Sequence, residues 1–267
     1  MTTAPPVTYT LPMQRDVAAF HDAFGMPNLI GSPGALPADR IDLRLRLIRE
    51  EGVAELRDAI RKKDPVLIID ALIDTVYVTL GTFVEMGQLA GDLVSFDRRR
   101  GELNVDVLMD TAEALVISNE MYLNILESAL RRGIIDRAVE ILDTITTSAL
   151  YTLLVSGVDP QPFFDEVHRA NMSKHGVDDG GKAVKGADYA APDLGAILTL
   201  PQHTKAPTGM SDFERGARAA AEAFHLYFLD ENEAPMYYID KPELTTFEEG
   251  AVADALRDEE LRIQRAG

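Results

Sequence analysis

Five of the seven carboxylates between Leu47 and Asp74 have types and spacing that could do chemistry: Glu50, Glu51 and Glu55, then Asp70 and Asp74. Glu51 and Glu55 stand four positions apart, as do Asp70 and Asp74. On a helix of about 3.6 residues per turn, each pair shares a face to within roughly 40°. Two helices joined through Lys-Lys-Asp-Pro could turn these acids towards each other, giving the hard oxygen ligands that magnesium or manganese takes. The plainer alternative is a solvated helix face, the usual place for Glu. Asp70 and Asp74 weigh against it, because they stand inside the apolar run LIIDALIDTVYV, where a carboxylate without a partner is costly.

The elements that must position these acids read as helices. Ile41, Leu45, Ile48 and Leu56 form an apolar stripe on a helix from about Asp39 to Lys62, with Gly52 an odd choice in its middle. Pro65 suits the first turn of the next helix, which runs to Met86 and stops at Gly87. A buried strand pair is the alternative for Leu67 to Met86, but the run is too long for one strand and lacks turn signals. Further helices are expected over Gln14 to Phe24, Val105 to Arg132, Ile135 to Ser156 and, after Pro160, along FFDEVHRANMSK. No segment alternates as a strand, so the expected class is all-α.

The hairpins at about 39–87 and 105–157 look like copies. Laying Glu50 on Glu120 puts Asp70 on Glu140 and Gly87 on Gly157, whereas laying Glu51 on Glu120 puts Asp74 on Asp143. This reads as a divergent tandem duplication with its register open by one, packed as a four-helix bundle; chance similarity of two amphipathic hairpins is the alternative. Glu120, Glu140 and Asp143 are then the candidate acids of a second site, weakened or vestigial. Residues 1–210 form the expected domain, and 211–267 a helical, acidic C-terminal extension.

The whole chain has 267 residues, 46% of them hydrophobic, which is ample for a core, and a net charge of −18. That charge argues against nucleic-acid and anionic-membrane partners. Without cysteine there is no disulfide, thiol nucleophile or zinc–thiolate site. The start MTTAPPVTYT does not read as a signal peptide, and no uninterrupted apolar run reaches the ~20 residues of a spanning helix, so a cytoplasmic location is expected. The loop GGKAVKGA is one of the few basic stretches. With Asn171, Ser173, Lys174 and Tyr189, its Lys182 and Lys185 offer donors and charge suited to phosphate, though an ordinary polar loop has the same composition. His21, beside Phe20 and a Gly-Pro loop, is a candidate for holding a nucleobase, or simply a structural histidine.

The ordered series FHDAFGMP, RLRLIREEGVAEL, DALIDTVYVTLGT, then FFDEVHRANMSK with GKAVKGADYAAPDL, resembles the MazG-like branch of the all-α nucleoside triphosphate pyrophosphohydrolases. The likeness covers roughly residues 14–87 and 160–196. It implies metal-dependent hydrolysis of a (deoxy)nucleoside triphosphate to the monophosphate and pyrophosphate, with Mg2+ or Mn2+ as cofactor. By position, Glu50 and Glu51 match the paired glutamates of the EExxE pattern and Asp74 the aspartate of ExxD. Asn171, Lys174, Lys185 and Tyr189 match the polar, basic tail that meets phosphates. The resemblance therefore assigns catalysis to Glu50, Glu51 and Glu55, and metal binding to these with Asp70 and Asp74. It suggests a homodimer, or a monomeric pseudo-dimer if the second hairpin replaces a partner.

Three departures stand out. Glu55 comes one place later than the pattern has it, Ala71 occupies the place of the ExxD glutamate with Asp70 a possible substitute, and the second hairpin separates the usual halves. One extra residue in a helix is commonly absorbed as a π-bulge, so a bulge is expected near Gly52, bringing Glu55 back towards Glu51. The altered spacing also keeps open a decayed nucleotide-binding or regulatory protein, or an interaction scaffold of the same fold.

Overall fold

Apolar side chains occupy every side of the helix that carries Asp70 and Asp74, and the other described helices pack around it. The computed structural model describes residues 11–91, 103–178 and 180–199. The helices are α1 (Pro12–Ala23), α2 (Ala38–Arg49), α3 (Leu56–Lys62), α4 (Pro65–Met86), α5 (Val105–Arg131), α6 (Ile135–Val155), α7 (Pro160–Met172) and the short α8 (Leu194–Leu198). Between α2 and α3 the chain does not break but widens into a π turn, Glu50–Glu55. The described residues contain no strand, only an isolated antiparallel bridge from Val177 to Ala183. The expected 211–267 extension falls outside the described residues.

Local chemistry sets the helix ends. Asp64 accepts from the backbone N–H of Val66 (2.9 Å) and Leu67 (3.3 Å), and Pro65 follows where its missing N–H costs nothing. Asn104 caps α5 through the N–H of Val107, and Asp159 caps α7 through that of Gln161.

Helix α4 packs against α1, α3, α6 and α7, while α2 and α3 lie against α5, and α5 against α6. The two hairpins thus close on each other as a four-helix bundle, with α1 and α7 added on the α4 side. Ile68, Ile69, Leu72, Ile73, Val76, Leu80 and Phe83 of α4 are fully buried, which is why no amphipathic stripe is visible along it. On α5 the buried stripe is Leu108, Ala112, Leu115, Leu123, Leu126 and Leu130. By length and composition alone α4 and α6 could each cross a membrane, but both are packed into this bundle. A buried Thr146–Thr79 hydroxyl pair, 2.8 Å apart, joins the hairpins inside the core.

Candidate active site

One ligand atom from each of Glu50, Glu51 and Glu55 can be chosen so that all lie within 4.8 Å of one another. The π turn makes this possible. The Leu56 N–H reaches back to the Glu51 carbonyl, five residues earlier, so the extra residue is absorbed and the helix resumes in α3. The bulge expected near Gly52 is present, and it spans the three glutamates.

Asp74 and Asp70 approach from α4. Burial, then the charges of Asp74, Glu55 and Glu50, raise the Glu51 carboxyl to about 9. Burial, with Asp70 next, raises Asp74 to about 7. Asp70 is pushed upward by burial and by Glu55. One oxygen of Glu51, Oε2, is buried with no hydrogen-bond partner. A buried carboxylate oxygen left without a donor, among carboxylates that repel each other, fits a hard divalent cation. Lys182 already supplies positive charge there: its Nζ lies 2.9 Å from both oxygens of Glu50.

Lys182 comes from the loop after α7. That loop folds back through His175 N–H to Val184 O and Asp178 N–H to Lys182 O. Two more lysines face the acids. Burial lowers Lys174, while the charges of Asp74 and Glu51 work the other way. Lys185 acts on Asp70 and Asp74 and lies 4.8 Å from the ring centre of Tyr189. Asn171 is nearly buried and hydrogen-bonds the Tyr77 hydroxyl, which lies 3.0 Å from His168 Nδ1. Lys174 and Lys185 thus lie near enough to act on the carboxylates by charge, Lys185 sits over the Tyr189 ring, and Asn171 meets Tyr77.

Two groups of sequence candidates lie apart from this cluster. His21 is 1% exposed, with Nδ1 at 2.7 Å from Pro27 O and Nε2 at 3.2 Å from Arg44. Burial, and then Arg44, lower it to about 4, so it is a neutral ring with both nitrogens engaged and none left for a nucleobase. It belongs to a buried network that the sequence did not reveal. Arg40 and Arg44 both pair with the fully buried Glu85, and Gly81 makes room, since a Cβ there would sit 2.7 Å from Arg44 Nη1.

The acids of the second hairpin do not gather either. Glu120 pairs with Arg57 at 2.6 Å, Glu140 with Arg137 at 2.8 Å, and Asp143 accepts from Gly91 N–H at 2.9 Å. Among the described residues the acid grouping is that of Glu50, Glu51 and Glu55. Lys182 was visible in the sequence only as one of two loop lysines, and Asn119, which touches the π turn, only as a neighbour of Glu120.

Residues 17–92 match the family model described as Phosphoribosyl-ATP pyrophosphohydrolase. That span holds all five acids and the π turn. Over that span the chain is similar to a domain of the MazG-like all-α pyrophosphohydrolase superfamily. The family acts on nucleotide-like substrates by cleaving an acid anhydride. No curated protein and no solved structure matches the chain.

Proposed function

We propose that the protein hydrolyses a (deoxy)nucleoside triphosphate to the monophosphate and pyrophosphate, with magnesium or manganese as cofactor. One observation carries this reading: a carboxylate cluster containing an unpartnered buried oxygen faces three lysines on a neighbouring segment. The acids suit a hard cation and the lysines suit a polyphosphate. Glu50, Glu51, Glu55 and Asp74, with help from Asp70, would hold the metal. When bound, a divalent cation supplies Lewis acidity at the phosphoryl oxygens and makes a nearby water easier to deprotonate.

The chain's own residues do the rest. Glu55, exposed at the rim of the cluster, accepts the proton of the attacking water. Lys174 and Lys185 offset charge on the leaving pyrophosphate. Lys182 is free to turn from Glu50 to phosphate once another cation neutralises the acids.

The test is to incubate the purified chain and magnesium with each common ribo- and deoxyribonucleoside triphosphate and with phosphoribosyl-ATP, which the matched family's name adds to the panel. Monophosphate-ended product and pyrophosphate are expected from at least one, and none after chelation. Failure with every compound would remove the enzyme reading. Ala71, standing where the pattern has a glutamate, favours one second reading: a nucleotide-binding regulatory protein. Binding without turnover, unaffected by Glu51→Gln, would support it.

A further inference from the structure

We infer that Asn119, on the second hairpin, is a positioning residue for the carboxylate turn of the first, and that it fixes the spacing of Glu51 and Glu55 by holding the carbonyl of Gly52. The inference rests on the metal-dependent reading given above.

A π turn takes its residues off the ordinary α-helical ladder, so its shape depends on what grips it from outside. Here the grip comes from α5. Asn119 is fully buried, and its Nδ2 donates to Gly52 O at 2.9 Å. The approach is close on two sides. A Cβ on Gly52 would lie 3.2 Å from Asn119 Nδ2 and 3.3 Å from both Cγ2 and Oγ1 of Thr75 on α4. A residue without a side chain lets the amide reach the carbonyl while α4 and α5 stay closed on the turn. The next residue of α5, Glu120, pairs with Arg57 just beyond the turn. The segment that carries Glu51 and Glu55 is therefore fastened from inside by Asn119 and at the surface by Glu120. A hairpin without its own acid grouping supports the acids of the other one. Groups that orient metal ligands without touching the metal govern affinity strongly.

The test separates positioning from ordinary stabilisation. Mn2+ alone is titrated calorimetrically into the full chain and into Asn119→Ala, Asn119→Leu and Thr146→Val, with melting temperatures measured alongside. Thr146→Val removes another buried hydrogen bond between the same two hairpins. Asn119→Ala is expected to weaken Mn2+ binding about tenfold or more. Asn119→Leu, which keeps the buried volume, should do the same, and Thr146→Val should lower the melting temperature without changing affinity. Unchanged affinity in the Asn119 variants would overturn the inference, as would an equal loss in Thr146→Val or failure of both Asn119 variants to fold. A wild-type chain that binds no Mn2+ would overturn the metal-site reading and this inference with it; tight wild-type binding with indifferent Asn119 variants overturns this inference alone.

Discussion

Glu51 keeps one buried oxygen that no donor reaches, and burial together with Asp74, Glu55 and Glu50 holds its carboxyl at about 9 instead of 4.5. In the metal-free protein this makes stability depend on pH with a definite sign. Between those two values the native state keeps a proton that the unfolded chain has released, so stability falls as pH rises through the window. Glu51→Gln removes that slope. The variant is expected to melt higher than wild type near pH 8 without metal, to lose the magnesium-induced rise in melting temperature, and to turn over about 100-fold or more slowly. Paired melting curves at about pH 6 and about pH 8, with and without magnesium, check it; a wild type whose metal-free stability rises across that range contradicts the assignment. The acid cluster was legible in the sequence because its spacing relates to helix periodicity. The partner of Lys182 was not, since it depends on how a loop folds back across the bundle.

At the scale of elements, α2 must be held against α4 for its last residues to face Asp74. Glu85 does much of this, accepting from Arg40 Nε at 2.9 Å and pairing with the buried Arg44, whose neighbour His21 fixes the loop after α1 through Pro27. Removing one partner of a buried charge group leaves the others uncompensated, so Glu85→Gln should cost about 3–5 kcal/mol in urea unfolding. Replacing Arg44 by Met in the same chain should recover part of the loss; a cost below about 1 kcal/mol for the single variant would show that water reaches the network. Nothing in the sequence marked these residues as a group. Arg40 and Arg44 sit one turn apart like any exposed pair, and Glu85 closes a helix far along the chain. The helix limits were legible, since Pro65, Gly87 and Gly157 punctuate them. So was the π turn, because one surplus residue beside a glycine has few other ways to keep Glu55 near Glu51.

At the scale of the molecule, two hairpins close into one bundle, and among the described residues this one chain brings to the candidate site the π turn, Asp70 and Asp74 of α4, the three lysines and Asn119 of α5. The likeness between the hairpins foretold this packing but left open whether the second set of acids is weakened or vestigial, because helical patterning records which face is buried and not what the carboxylates meet. Glu120, Glu140 and Asp143 have each found a separate partner. A second hairpin that supplies this support from within the chain is expected to stand in for a second copy at the site. Turnover per chain should therefore stay constant through about a hundredfold dilution, where an enzyme needing its partner would lose activity as it dissociates. Light scattering alongside the assay reports the assembly state at each step. A fall in turnover that tracks loss of a dimer would mean that a neighbouring copy completes the site after all.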